Sequence, residues 1–237
     1  MGRLSPAMFN ARRNGAERLN LPIGSPEELR HSFIGFAREL CVPQKWRWNT
    51  YLPKPDLNTK SDHARSGDTF FFRSLEWILQ HELAHIALNH QDSAWSQEQS
   101  RAEERDADIH ASRRIKGDHA IDPHRTPGVK RSAGELELER RALAAGIGLI
   151  WVGMYEETAA RLSDMYPPIS ERIYRCLEEF GLARDSAAAE ILSDFIKAWI
   201  DPKAEWHRLS PEQATAQAAM DEACHQLDRY IQDLRKK

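Results

Sequence analysis

The segment HELAH, residues 81–85, places two histidines four residues apart with a glutamate beside the first. On an α-helix, residues at this spacing lie on one face, so the imidazoles of His81 and His85 can point at a common centre. Two neutral imidazoles suit Zn²⁺, whose bonds to nitrogen are about 2.0–2.1 Å long and need converging ligands. Glu82 can then reach a water at the metal and remove its proton. The residue types and their spacing therefore predict metal-assisted hydrolysis.

The residues around this motif bear on whether its histidines are ligands or ordinary surface residues. The motif alone arises by chance, and an exposed helix would carry the same three polar side chains at little cost. Here it lies in an apolar stretch, which predicts a buried helix where unpaired polar groups would be costly. We therefore favour the metal site over a surface helix. The apolar positions are Leu75, Ile78, Leu79, Leu83, Ile86 and Leu88.

A third protein ligand must come from elsewhere, because catalytic zinc sites use three and leave the fourth position to water. His90 is near, but the longer pattern with a third histidine requires histidine at position 91 and glycine at position 88. The chain has Gln91 and Leu88 there, which excludes that class. We therefore interpret His90 as a helix-end residue, where a partial positive charge is favourable.

The segment EERDADIHA, residues 103–111, offers a better source of the third ligand. Glu104 and Asp108 lie four residues apart on a second predicted helix, so one carboxylate can bind the metal while the other orients a ligand histidine. Ala107 and Ala111 add a small-residue face that would let this helix approach the first closely. The alternative is a solvated charged helix, since charged residues surround the pair, but that alternative leaves the alanine spacing unexplained.

HELAH followed by E-x-x-A-D-x-x-A resembles the gluzincins, which are zinc metallopeptidases with two histidines and a glutamate as ligands. The matching region covers residues 73–115. In that group the glutamate on the second helix is the third ligand, and the aspartate one turn later supports a ligand histidine. Carried over to this chain, the resemblance implies three metal ligands, a general base and a supporting carboxylate: His81, His85 and Glu104, then Glu82, then Asp108.

Two longer segments add to this resemblance. HELAHIALNH is similar to compact intracellular peptidases, including the Lit-type phage-exclusion peptidases and the ImmA/IrrE-like regulators, which implies cleavage of a chosen cytoplasmic protein. SDMYPPISERIYRCL resembles the S-x-x-H-P-x-x-x-x-R segment of a membrane-embedded peptidase class, with Tyr166 in place of the histidine and Arg172 matching the arginine. Tyr166 could then donate to the oxyanion and Arg172 could stabilise its charge. The alternative for Tyr166 is a half-buried aromatic before two prolines.

The predicted architecture is mainly α, in an α+β arrangement with one small N-terminal sheet. Residues 44–52, QKWRWNTYL, alternate apolar and polar types and predict its clearest strand. In the resembled group, a sheet edge above the active-site helix pairs with an extended substrate. Helices are predicted over 25–40, 69–89, 96–115, 134–162, 169–179 and 186–200, and from 210 nearly to the C-terminus. The predicted regions are a flexible basic leader (1–24), a zincin-like metallopeptidase core (25–182) and a helical C-terminal extension (183–237).

Composition narrows the class of protein. The net charge of −3 gives no general attraction to phosphates, so we do not expect nucleic acid as the main partner. Three widely separated cysteines fit a reducing compartment, which predicts a cytoplasmic location. The longest apolar stretch, residues 142–155, is shorter than the roughly 20 residues that span a bilayer, so it predicts a buried core helix and no membrane span. The oligomeric state is not predicted.

Together these observations predict a zinc-dependent endopeptidase that hydrolyses a peptide bond in a specific intracellular protein. Metal-activated water would be the nucleophile and Glu82 the general base, so the expected partners are Zn²⁺ and a protein or peptide substrate. The alternative is a non-catalytic, zinc-stabilised protein-binding module in a defence or regulatory system, motivated by the altered YPP segment and the polarity of the second helix. A hydrolase of a non-peptide substrate would share the same ligands.

Overall fold

The computed structural model describes residues 37, 62–90, 96–119, 132–158, 164–182, 186–201 and 215–236. Within these ranges the chain forms six α-helices and no strand, which confirms the mainly helical class. The small N-terminal sheet has no support there, since its predicted strand at 44–52 lies outside the described residues. The helices are α1 (Asp62–Ala87), α2 (Gln97–Lys116), α3 (Ala133–Thr158), α4 (Ile169–Phe180), α5 (Ala187–Ile200) and α6 (Ala216–Arg235).

Hydroxyl side chains mark the start of three helices. Ser96, Ser186 and Thr215 are extended N-cap residues, and each accepts a hydrogen bond of 3.1 Å from the amide three residues later. These bonds satisfy amide donors that the first helical turn leaves without partners. The starts of α2 and α5 agree with the prediction to within one residue. The predicted start of the last helix at 210 is wrong, because Thr215 is extended and α6 begins after it.

α1 begins earlier than its sequence suggested. The prediction placed the first turn near residue 69 with Asp68 as its cap, but the helix already runs from Asp62 and contains Asp68. A Cβ at Gly67 would meet nothing within 4 Å, so this part of the helix is open to solvent. The polar run was interpreted as a loop because of its composition, whereas an exposed helix accommodates the same residues.

α3 is the central helix and contacts α1, α2, α4 and α5. Within its apolar stretch, residues 142–155, seven apolar side chains are buried, which confirms the predicted core helix: Ala142, Leu143, Ala144, Ala145, Leu149, Ile150 and Met154. Glycines allow two neighbours to approach closely. A Cβ at Gly148 would lie 3.2 Å from the Ser74 carbonyl oxygen on α1, and one at Gly153 would lie 2.7 Å from the Trp199 ring on α5. The core helix thus holds α1 at short range on one side and α5 on another.

The later helices complete the core around α3. α4 packs on α2 and α3, α5 packs on α3, and α6 packs on α5 and α4. Trp199 Nε1 and Tyr230 Oη donate to the two oxygens of Glu157 at 2.7 and 2.6 Å, which joins α5 and α6 to the end of α3. The predicted boundaries at 24 and 182 stay predictions. No helix in the described ranges is both long and apolar enough to cross a membrane.

α1 is buried on one face only, which corrects the expectation of a helix enclosed by apolar neighbours. Its inner face packs on α2 and α3, and Trp77 and Ala84 there are at most 1% exposed. The predicted core positions Leu79, Leu83, Ile86 and Leu88 are instead 53%, 53%, 77% and 43% exposed. The apolar segment therefore has two faces, one in the core and one exposed. We call Phe72, Leu79, Leu83 and Ile86, which recur at helical spacing on the exposed face, the apolar stripe.

Candidate metal centre

The α1–α2 interface brings the two motifs of the sequence together. Ala107 and Ala111 on α2 are completely buried, which confirms the predicted small-residue face. Trp77 Nε1 donates to Ser112 Oγ across the same interface at 3.1 Å. The Trp77 ring also stacks on His81, one turn later, with ring centres 5.6 Å apart. Close packing and this hydrogen bond set the register in which the HELAH turn faces the glutamate of α2.

The donor atoms of His81, His85 and Glu104 converge at this interface and lie within 4.8 Å of one another. The two imidazole Nε2 atoms are 3.2 Å apart. Glu104 Oε2 lies 3.4 Å from His81 Nε2, and Oε1 lies 3.5 Å from His85 Nε2. Ligand atoms on a tetrahedral zinc ion with bonds of about 2.0–2.1 Å are separated by about 3.3 Å. The Nε2–Nε2 separation is close to that value, and each Glu104 oxygen lies at a similar distance from one of the two imidazoles.

Asp108 faces the other nitrogen of His81. His81 Nδ1 lies 3.0 Å from Asp108 Oδ1, although the ring orientation leaves its N–H poorly aligned with that oxygen. Burial alone would lower the pKa of His81, but the contacts with Asp108 and Glu104 outweigh it and raise the pKa to about 9. The other ring nitrogen of His81, Nε2, faces Glu104 and His85. Asp108 thus lies beside the ring nitrogen of His81 that faces away from Glu104 and His85.

Arg172 is buried behind the same centre, with only 2% of its side chain exposed. Its Nε and Nη2 donate to the two oxygens of Asp108, each at 2.8 Å, and Nη2 also lies 3.3 Å from Glu104 Oε2. Burial would raise the pKa of both carboxyls, but the Arg172 charge and the hydrogen bonds with His81 hold each pKa below its usual value. Arg172 therefore forms ion pairs with Asp108 and Glu104. A contact with developing charge on a substrate stays a prediction.

His85 lies on the solvent side of the centre. Its side chain is 26% exposed, compared with 8% for His81. Burial and the neighbouring His81 charge lower the pKa of His85, so its imidazole favours the neutral form that binds metal. Its Nδ1 lies 2.9 Å from Nδ1 of His90, which follows the end of α1 as expected.

The two remaining predicted residues lie at more exposed positions. Glu82 is exposed on the turn of α1 that carries His81. Tyr166 is exposed, with 36% of its surface accessible, and it precedes α4, the helix that carries Arg172. The catalytic roles predicted for Glu82 and Tyr166 stay predictions.

The family comparison applies to this geometry. The family model described as Peptidase U49 matches residues 5–192, which include every residue of the candidate centre. The chain belongs to the Peptidase U49 family. The predicted peptidase class thus agrees with the family description. That description names neither a metal nor a general base.

A named relative of the chain is also a peptidase. The chain is 30% identical over 131 residues to the "Cell death peptidase" of Escherichia coli (strain K12). The aligned segment covers 54% of this chain and 39% of that relative, so the match spans well under half of the relative's length. No solved structure gave a significant match.

Two residues near the centre of this U49 chain were not singled out from the sequence. Trp77 precedes His81 by one helical turn, and that i, i+4 spacing was the available signal for the ring contact. Glu156 lies at the end of α3, where burial raises the pKa of its carboxyl despite the Arg172 charge. Nothing in the sequence near Glu156 linked it to the motifs, because only the packing of α3 brings it toward Arg172.

Proposed function

We propose that this U49 chain is a zinc-dependent endopeptidase in which His81, His85 and Glu104 bind the metal. The observation that carries the proposal is the convergence of the three side chains: the two Nε2 atoms are 3.2 Å apart, and each lies 3.4 or 3.5 Å from one oxygen of the Glu104 carboxylate. Membership of a peptidase family supplies the reaction class. The bound zinc would act as a Lewis acid that acidifies a water and polarises the substrate carbonyl.

Glu82 is the general base in this proposal. It is exposed beside His81, so its carboxylate is accessible to a substrate and to water. Glu82 takes one proton from the attacking water as the water oxygen bonds to the carbonyl carbon. The same carboxyl then gives that proton to the departing amine as the C–N bond breaks.

Asp108 and Arg172 support the ligands. Asp108 faces Nδ1 of His81, so Nε2 is the nitrogen available to bind the metal. Arg172 holds Asp108 with two hydrogen bonds and contacts Glu104, so one cation orients two carboxylates. Any effect of Arg172 on the oxyanion acts through these contacts. Tyr166, which is more exposed, is the proposed direct donor to the oxyanion.

The substrate class follows from the same proposal. We propose a protein substrate in the cytoplasm, cleaved at few sites, by analogy with the relative named a cell death peptidase. The apolar stripe beside Glu82 offers an exposed surface on which a protein chain could dock next to the base.

Two measurements test the proposal in sequence. Purified protein should bind zinc, and His81→Ala should lose the bound metal because one of three ligands is removed. A wild type without affinity for zinc, or His81→Ala with unchanged zinc content, would contradict the metal site.

Glu82→Gln tests catalysis separately from metal binding. The variant should keep its zinc, because Glu82 is not a ligand, and should lose activity by several orders of magnitude. The readout is the number of new protein N-termini in cells that express the protein. This measurement does not require a known substrate. Glu76→Gln, which changes an exposed glutamate on the same helix, is the matched control and should behave as the wild type. Equal numbers of new termini with wild type and Glu82→Gln would remove Glu82 as the base.

The second candidate function is a zinc-stabilised module that binds a partner protein without cleaving it. The observation in its favour is the apolar stripe, since large exposed apolar surfaces mark interaction sites. Glu82→Gln separates the two functions. A cellular effect that persists in this variant supports binding, and its loss with zinc retained supports catalysis.

A further inference from the structure

α1 ends in a backbone motif that turns residue 90 back onto residue 85. Asn89 has a φ of 57°, in the left-handed region that Asn tolerates better than most residues. The Asn89 amide donates to the Ile86 carbonyl at 3.1 Å, and the His90 amide donates to the His85 carbonyl at 2.9 Å. These two bonds are the Schellman pairing, in which the second residue beyond the helix lies over its last turn. The backbone therefore determines that His90 lies beside a metal ligand.

The side chains of this pair meet through their rings. His90 Nδ1 lies 2.9 Å from His85 Nδ1, and the ring centres are 4.9 Å apart with the planes at 71°. Two ring nitrogens at this distance share one hydrogen, so one donates and the other accepts.

The position of His85 decides which nitrogen donates. Its Nε2 faces His81 Nε2 at 3.2 Å and Glu104 Oε1 at 3.5 Å, so Nε2 is its nitrogen in the proposed centre. A metal-binding nitrogen needs its lone pair, so the hydrogen of neutral His85 must lie on Nδ1. His90 Nδ1 is then the acceptor, and the hydrogen of His90 lies on its own Nε2.

We propose that His90 is a positioning residue that holds His85 in its metal-binding tautomer and orientation. The inference rests on the proposed zinc site. Asp108 faces Nδ1 of His81, and His90 faces Nδ1 of His85, so an acceptor group lies next to the Nδ1 atom of each ligand histidine. Such acceptors fix ring orientation and increase the basicity of the ligand nitrogen. The contact matters more for His85, because its more exposed ring has fewer neighbours to hold it.

A matched pair of substitutions isolates the acceptor. In His90→Asn the amide oxygen takes the place of Nδ1, one bond from Cγ, and can still accept. In His90→Leu a methyl group of similar size stands there and cannot accept. The zinc dissociation constant, measured by competition with a chromophoric chelator, should stay near the wild-type value in His90→Asn and rise about 10- to 100-fold in His90→Leu.

A backbone variant and a spectrum complete the test. Asn89→Gly should keep wild-type affinity, because glycine adopts the left-handed conformation without strain and preserves the turn. In zinc-loaded protein labelled with ¹⁵N at histidine, His85 should show a hydrogen-bonded Nδ1–H, and that signal should weaken in His90→Leu through exchange with water.

The outcomes distinguish this inference from the proposed function. Equal zinc affinity in His90→Asn and His90→Leu, with a wild type that binds zinc, would overturn the positioning role and leave the zinc site intact. A wild type that binds no zinc would overturn the proposed function and the positioning role together. Weaker zinc binding in His90→Leu, together with wild-type affinity in His90→Asn, supports the role of the acceptor.

Discussion

Arg172 is the residue that couples the charged groups of the centre. A guanidinium this deeply buried is tolerable only when anions pair with it, and Asp108 is equally buried, with 1% of its side chain exposed. Each charge therefore compensates the desolvation of the other. Removing either one leaves a buried charge without its main partner, which is far more destabilising than losing an exposed ion pair.

We predict that Arg172→Met will lower the free energy of unfolding by roughly 3–5 kcal/mol, because the buried Asp108 then loses the cation that binds both of its oxygens. Arg175→Met is the matched control on the same helix. Arg175 is 40% exposed and pairs with Glu171 at 3.1 Å, so its loss should cost less than about 1 kcal/mol. Chemical denaturation of metal-free protein measures both values, and similar losses in the two variants would contradict the buried charge pair.

We predict that zinc binding will release about one proton at neutral pH, because a metal ligand must be deprotonated. The pKa of His81, raised to about 9 in the metal-free protein, means that this residue carries a proton at pH 7. The release should fade as the pH rises through 9, where His81 is already neutral. Calorimetry in buffers of different ionisation enthalpy measures the proton count, and a binding enthalpy independent of the buffer would contradict the charged state of His81.

The same pKa determines how the metal-free fold responds to pH. Because the folded pKa of His81 is above the usual histidine value of 6.5, its charged contacts stabilise the fold fully below pH 6.5. That contribution is lost as the pH rises through about 9. The lowered pKa values of Glu104 and Asp108 act in the opposite sense, since their contribution is lost only in acid.

At the scale of the helices, close approach to α3 is the feature that orders the core. A Cβ at Gly153 would lie 2.7 Å from Trp199 and 3.0 Å from Ile169, whose side chains are both buried. Trp199 has little room to move, because its indole N–H is bonded to Glu157. The end of α3 therefore has no space for even one methyl group.

We predict that Gly153→Ala will destabilise the protein by about 1–3 kcal/mol through overpacking. Gly67→Ala is the control, because a Cβ there meets nothing within 4 Å and the residue lies inside an exposed part of α1. That change should stabilise the fold by roughly 0.5–1 kcal/mol, since alanine favours the helix. Thermal unfolding of both variants tests the pair. Destabilisation of equal size in both would contradict the packing argument.

The two faces of α1 explain one error of the sequence prediction. Leucine and isoleucine on both sides of the HELAH turn indicated a buried helix, but the apolar stripe has no partner among the described helices. Periodicity identifies an apolar face without identifying what covers it. The small-residue face predicted for α2 agrees with the structure in that Ala107 and Ala111 are completely buried and α2 packs on α1.

At the scale of the whole molecule, the proposed ligands come from two helices, so a bound ion would link α1 to α2. We predict that zinc will raise the melting temperature and that a chelator will reverse the rise, because a ligand of the native state alone stabilises it. The gain should be about 2.7 kcal/mol when free zinc is one hundred times its dissociation constant. His85→Ala should remove most of this response, and an equal response in that variant would contradict binding at this centre.

The sequence by itself determined the local part of the centre. His81 and His85 share a helix face because residues four apart always do, and Glu104 and Asp108 follow the same rule on a second helix. Alanine spacing indicated which face of α2 could approach α1. These inferences needed only helical periodicity and the chemistry of the side chains, and the structure brings the proposed ligands together as expected.

Only the tertiary structure decided which atoms meet. Arg172 was identified as a candidate from a resemblance, but its packing places the guanidinium against Asp108 and Glu104. His90 was interpreted as a helix end, yet the left-handed turn at Asn89 brings its ring to His85. Side-chain partners depend on the crossing of helices and on single backbone dihedrals, and neither leaves a periodic signal in the sequence. For that reason the ligands and Asp108 were predictable, whereas the partners of Arg172 and His90 were not.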